Sequence, residues 1–180
     1  MKEEDLKLII KALSFAAHKH KDQRRKDVAA SPYINHPISL ASILCNEAHV
    51  TDVDVICGAL LHDTVEDTDT SFEEIEIEFG SNISKIVQDV TDDKSLEKSE
   101  RKRMQVEHAA HACTNAKLVK LADKISNLRD VSINPPKGWE VSRCQEYFDW
   151  AKNVIDQVRG TNIILEKQFD DIYASRPNSY

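Results

Sequence analysis

At 180 residues, 41% hydrophobic and 31% charged, the chain has an ordinary globular composition and room for one good-sized core, which leaves no space for a second catalytic domain. Its net charge of −7 lacks the basic excess with which general nucleic-acid and membrane-surface binders attract phosphate, so neither partner is expected, while a small anionic substrate stays compatible with locally gathered cations. Four Gly and five Pro imply long helical elements rather than a sandwich or barrel, and the widely spaced Cys45, Cys57, Cys113 and Cys144 suit a reducing cytoplasm rather than a disulfide framework or zinc-thiolate site.

Leu6, Ile9, Ile10, Leu13 and Ala17 recur at helical spacing and predict a first helix from about Lys2 to His20. The charged start, Met1 to Asp5, lacks the apolar run of a secretory signal, and no stretch approaches the roughly 18 apolar residues of a membrane span. A basic loop from Lys21 to Asp27 leads through Pro32 to His36, and Pro37 fits the first turn of a helix with Leu40, Ala41, Leu44 and Ala48 in the core. Val53 to Asp67 reads as one helix, with Ile56, Ala59 and Leu60 buried. Ser71 with Glu74 makes a capping-box signature for a helix that stops at Gly80, and Ile83, Ile86, Val87 and Val90 form the next stripe. The charged segment Ser95 to Ala112 reads as a helix face carrying Lys98, Arg101, Lys102 and Arg103. Leu118, Leu121, Ala122, Ile125 and Leu128 mark a core helix that also bears Asp123 and Asn127. Val131 to Gly138 holds Pro135-Pro136 and is expected to be a loop; a long helix carrying Trp139 to Val158 ends at Gly160, and Asn162 to Ala174 supplies the last.

His62 and Asp63 follow the apolar run Ile56 to Leu61, so their side chains should emerge from the core. On a continuous helix, residues four apart share a face, which places Glu66 over His62 and Asp67 over Asp63. Acids at a helix carboxyl end oppose the macrodipole unless a cation is present. His36 at one helix start and Asp123 on another helix complete two nitrogen and two oxygen donors from three elements. That set suits one manganese, iron or zinc ion more than calcium or magnesium. Such an ion lowers the pKa of bound water from about 15.7 toward about 7, making hydroxide available at neutral pH. The remaining histidines, His18, His20, His49, His108 and His111, read as surface or packing residues, so a second metal is not expected.

The ordered set Arg25-Lys26, Tyr33-Ile34-Asn35-His36-Pro37, His62-Asp63-Thr64-Val65-Glu66-Asp67-Thr68 and Asp123-Lys124-Ile125-Ser126-Asn127-Leu128-Arg129 resembles the hydrolase domain of the RelA/SpoT family, in particular its stand-alone animal branch. The resemblance runs from the first helix to about Gln168. It implies an all-α HD-domain helical bundle, a single domain over residues 1–180, one manganese ion, and removal of the 3′-pyrophosphate from guanosine tetraphosphate or pentaphosphate. Carried over by position, it implies that His36, His62, Asp63 and Asp123 ligate the metal and that Glu66 and Asp67 are the catalytic acidic pair. Arg25 and Lys26 match the basic pair beside the base, Asn127 an asparagine near the sugar, and Lys98, Arg143 and Tyr147 contacts to phosphates or sugar. Glu66 is expected to orient or deprotonate water and Asp67 to manage the leaving-group proton, with the two roles exchangeable.

The partner implied is a small phosphorylated purine nucleotide; the residues leave the oligomeric state open. The same pocket would accept NADPH, which offers a purine ribose with a 2′-phosphate, as an alternative substrate. Rival readings are a catalytically idle nucleotide-binding module, opposed by the intact metal quartet and acidic pair, and a broader HD nucleotidase, opposed by Arg25-Lys26 and Tyr33 to Pro37. Asp27 stands where bacterial relatives usually carry a small serine, and the loop to Pro32 is longer, so the fit around the base should differ.

Overall fold

The structure, a computed structural model, describes residues 2–177. Among these every regular element is helical, and the sole β feature is an isolated bridge between Arg24 and Pro32. Helix α1 spans Glu3–Lys19, with Glu3, Glu4 and Asp5 in its first turn and Lys19 in its last, charges of the sign each helix end favours. Helix α2, Asn35–Ser42, passes into a π-helical turn, Ile43–Glu47, where the Ala48 N–H donates to Ile43 O at 3.0 Å. Helix α3, Val53–Leu61, is capped by the Asp52 carboxylate, which accepts from the N–H groups of Asp54 and Val55. The remaining helices are α4 (Thr64–Asp67), α5 (Phe72–Phe79), α6 (Ser81–Val90), α7 (Lys98–His111), α8 (Thr114–Ile133), α9 (Val141–Asp156) and α10 (Ile163–Tyr173).

Helix α3 lies between two apolar clusters and serves both, which is why Val55 through Leu61 are all buried. Val55 and Ala59 join the larger cluster with Leu40, Leu121, Ile125, Leu128, Phe148 and Phe169. Ile56, Leu60 and Leu61 join the smaller one, formed with Ala12, Ala16, Ile75, Phe79 and Ile83. Contact with α6 requires Gly58: a Cβ there would stand 2.5 Å from Ile86 Cγ2 and 3.2 Å from Ile86 Cβ. Among the described residues, no helix is long and apolar enough to cross a membrane.

Four sequence expectations are revised. The run from Val53 to Asp67 is not one helix, because the chain turns at His62-Asp63 before α4 begins. Side chains take the carbonyls that further helical turns would have used: His62 Nδ1 donates to Ala59 O at 2.8 Å, and Thr64 Oγ1 donates to Leu61 O at 2.7 Å. The Ser71 box is half-formed, since its hydroxyl accepts from Glu74 N at 3.1 Å while the Glu74 carboxylate pairs with Lys19 at 3.1 Å. Helix α8 runs on through Ile133, so the loop starts only at Asn134, where the following Pro135 disfavours helical backbone. The helices on either side of it start later than expected: α7 at Lys98, after a turn in which Asp93 accepts from Ser95 N, and α9 at Val141, leaving Trp139 in the preceding loop.

Candidate active site

The turn after α3 is the hub. Ala59 O can only accept, so His62 Nδ1 carries a proton and Nε2 is the atom left to offer a lone pair when the ring is neutral; Nε2 is buried and has no hydrogen-bond partner. It stands 2.8 Å from Asp63 Oδ2, a contact too poorly aligned to be a hydrogen bond. From α2, His36 Nε2 lies 3.2 Å from Asp123 Oδ1, while Nδ1 is 3.3 Å from Ser126 Oγ. One ligand atom from each of His36, His62 and Asp123 lies within 4.8 Å of the other two.

The electrostatics have the same origin. Burial opposes charge on His62, but Asp63 and Asp123 outweigh it and push the imidazole up to about 9. Burial also works against the Asp63 carboxylate, yet His62 and His36 hold it well below the usual carboxylate range. For Asp123, likewise against burial, Lys124 and the two imidazoles have the same effect, whereas burial keeps the His36 pKa low. A buried imidazole nitrogen without a hydrogen-bond partner, beside two ionised carboxylates and a second imidazole, fits a divalent cation, which would take the place of the Nε2 proton that the carboxylates otherwise favour, and second-sphere contacts fix each side chain. Asn127 Nδ2 donates to Asp123 Oδ1 at 2.6 Å, Lys124 Nζ to Asp123 Oδ2 at 2.9 Å, and the Tyr33 hydroxyl to Asp63 Oδ2.

Because α4 starts afresh at Asp63, Asp67 keeps the helical register over Asp63, its N–H donating to Asp63 O at 2.9 Å, while the carboxylate of Glu66 is held by another segment. Glu66 Oε2 accepts from the Asp92 peptide N–H at 3.0 Å. Burial pushes its carboxyl up to about 7; the Asp92 peptide opposes the shift and Asp63 reinforces it. Asp67 is engaged at both oxygens, by Gln23 Nε2 at 2.7 Å and by the Lys94 ammonium.

These groups line a cavity of about 690 Å³. Arg25, from the loop after α1, bridges Asp130 at 2.5 Å and Asn127 at 3.2 Å on α8 and lies over the Tyr33 ring. Lys26 and Lys98 are exposed side chains on the cavity wall, and Tyr147 of α9 lines it between Trp139 and Trp150. Arg143 is outside that wall: its guanidinium stacks 4.6 Å above the Trp139 ring instead. Asp27 also lines the cavity but builds its own loop, accepting from Ser31 N at 3.0 Å where Ala30 takes a positive φ of 49°.

Sequence reasoning passed over Gln23, Lys94, Gln105, Lys120, Lys124, Trp139 and Trp150 as site residues, although all line the cavity. For two of them a signal existed. Lys120, Asp123, Lys124 and Asn127 recur every three or four positions, a polar stripe on a helix whose other face is core.

The all-helical frame and the histidine–aspartate centre define an HD hydrolase-type site, and the HD domain family matches residues 12–147; the chain belongs to that family. It is 55% identical over 169 residues to guanosine-3′,5′-bis(diphosphate) 3′-pyrophosphohydrolase MESH1 of Danio rerio, covering 94% of each chain. It is 57% identical over 169 residues to the protein of the same name from Xenopus tropicalis, again covering 94% of each. A solved structure described as a metazoan ortholog of SpoT that hydrolyzes ppGpp superposes with a TM-score of 0.91 at 53% identity, over 94% of this chain and 95% of that one.

Proposed function

We propose that this chain is a manganese-dependent guanosine-3′,5′-bis(diphosphate) 3′-pyrophosphohydrolase. The observation that carries the reading is the buried His62 Nε2, without a hydrogen-bond partner, grouped with His36 and Asp123 and 2.8 Å from Asp63, on a cavity that also gathers Arg25, Lys26, Lys98, Lys120 and Lys124. A divalent cation would be held by His36, His62, Asp63 and Asp123, and when bound would supply Lewis acidity toward a phosphoryl oxygen and water.

The chain's own groups do the rest. Water attacks the phosphorus bonded to the ribose 3′ oxygen, the P–O3′ bond breaks, and the 3′ oxygen takes a proton, giving pyrophosphate and the guanosine 5′-diphosphate or 5′-triphosphate. Glu66, with its raised pKa, is the group suited to take the proton from water. Asp67, engaged by Gln23 and Lys94, ties the loop after α1 and the segment after α6 to the acidic pair. Arg25, Lys26 and Asn127 are assigned to the base and sugar, Lys98 and Tyr147 to the phosphates and ribose, and Arg143 to support of that wall through Trp139. The four cysteines are free, Cys57 and Cys144 buried, which supports a reducing cytoplasm as the compartment.

Purified protein should release pyrophosphate from guanosine tetraphosphate, lose activity to chelator and regain it with manganese, and Asp63→Ala should abolish turnover. Removal of the NADPH 2′-phosphate, assayed on the same preparation, should show the lower kcat/KM. Absence of manganese-dependent cleavage of guanosine tetraphosphate would overturn the reading.

A further inference from the structure

Gln105 lies on the cavity side of α7, four residues after Arg101 and three after Lys102, yet it carries no charge and belongs to neither the metal set nor the phosphate-facing cations. Its amide closes a chain of hydrogen bonds between two separate parts of the site. On one side Gln105 Nε2 donates to Asp92 Oδ2, and the Asp92 peptide N–H donates to Glu66 Oε2 at 3.0 Å. On the other, Gln105 Oε1 accepts from Lys124 Nζ at 3.1 Å, and the same ammonium donates to Asp123 Oδ2 at 2.9 Å.

The residue type follows from the geometry. Asp92 is a half-buried carboxylate that needs a donor, and Lys124 is a buried ammonium that needs an acceptor. A primary amide supplies both from one planar group without adding charge. Without it, opposite charges in a poorly screened interior attract each other directly, and the Asp92 peptide is drawn off Glu66.

We propose that Gln105 is a positioning residue, which holds Glu66 in register with the metal centre by bridging Asp92 and Lys124 and keeping them apart. The proposal rests on the phosphohydrolase reading for its activity assay but not for its logic, because it concerns the coupling between Gln105 and Glu66 in whatever reaction the centre performs.

The test is a double-mutant cycle on the manganese-loaded full chain, using Gln105→Met, Gln105→Glu, Glu66→Gln and the double variant Gln105→Met/Glu66→Gln. Gln105→Met should lower kcat by on the order of 10-fold while KM and manganese affinity each move by less than about threefold. Gln105→Glu keeps the acceptor for Lys124 but loses the donor to Asp92, and should cost as much in kcat; it also carries the test if the methionine variant fails to fold. In the Glu66→Gln background, adding Gln105→Met should cost less than about twofold, because the group it acts through is already disabled. An equal loss in both backgrounds overturns the proposal, as does a fall in manganese affinity that matches the fall in kcat. Wild-type protein that binds manganese but leaves guanosine tetraphosphate intact refutes the function above instead, and the same cycle is then read on NADPH.

Discussion

Lys120 is a buried cation at the wall of the cavity, 7% exposed, on the stripe of α8 that carries Asp123. Burial pushes its pKa down to about 8, with Lys124 adding to the shift and Asp92 and Asp123 opposing it. A folded-state pKa below the ordinary 10.5 means that between pH 8 and 10.5 the unfolded chain binds a proton the folded chain lacks, so stability rises with pH across that window; below it, the buried charge destabilises the fold. Lys120→Met should therefore raise Tm at pH 7 and remove the rise in stability between pH 8 and 10.5, while raising KM for a polyphosphate substrate. A methionine variant that melts lower at pH 7 with KM unchanged would show Lys120 to be a structural partner of Asp92. A position that costs stability and faces the cavity is the expected trade at a binding site.

At the scale of elements, the decisive event is the end of α3. The apolar stretch Val55 to Leu61 drives the helix into the core from both sides, and His62 and Thr64 then terminate it by capping its last carbonyls with side chains. The same hydrogen bond that ends the helix directs His62 Nε2 toward His36 and Asp123, so chain reversal and the orientation of this proposed metal ligand are one structural act. How close α3 can lie to α6 depends on Gly58. Ile86 is 2% exposed and β-branched on a helix, which leaves it one favoured rotamer and little room to yield to a new methyl group. Gly58→Ala should lower Tm by roughly 3–10 °C, as overpacking of about 1–3 kcal/mol implies for a chain of this size. An unchanged melting temperature would mean that α6 slides away without loss of packing. Helix positions and core faces were largely legible in the residues, since periodicity reports burial. The break at His62-Asp63 was not, because apolar spacing continues through it and the capping bonds depend on side-chain direction.

For the whole molecule, the proposed metal centre would act as a cross-link. His36 comes from α2, His62 and Asp63 from the turn after α3, and Asp123 from α8, so a cation held by all four would join segments that pack on both apolar clusters. A ligand that binds only the folded chain stabilises it by about 2.7 kcal/mol when its free concentration is 100 times Kd. Manganese should therefore raise Tm by several degrees in thermal denaturation, and His62→Ala should abolish that rise. Full manganese-induced stabilisation in His62→Ala would remove this residue from the ligand set.

The residue types and their order determined the helical class, the family and the identity of the four ligand candidates, because periodicity and an ordered motif set are properties of the linear chain. Tertiary structure alone decided that Glu66 meets the Asp92 peptide rather than His62, that Gln23 reaches Asp67, and that Gln105 meets Lys124 inside the site. The reason is physical: each of these facts is a contact between elements distant in the chain. Such contacts are set by packing angles, helix ends and the low dielectric of the interior, none of which has a period to read.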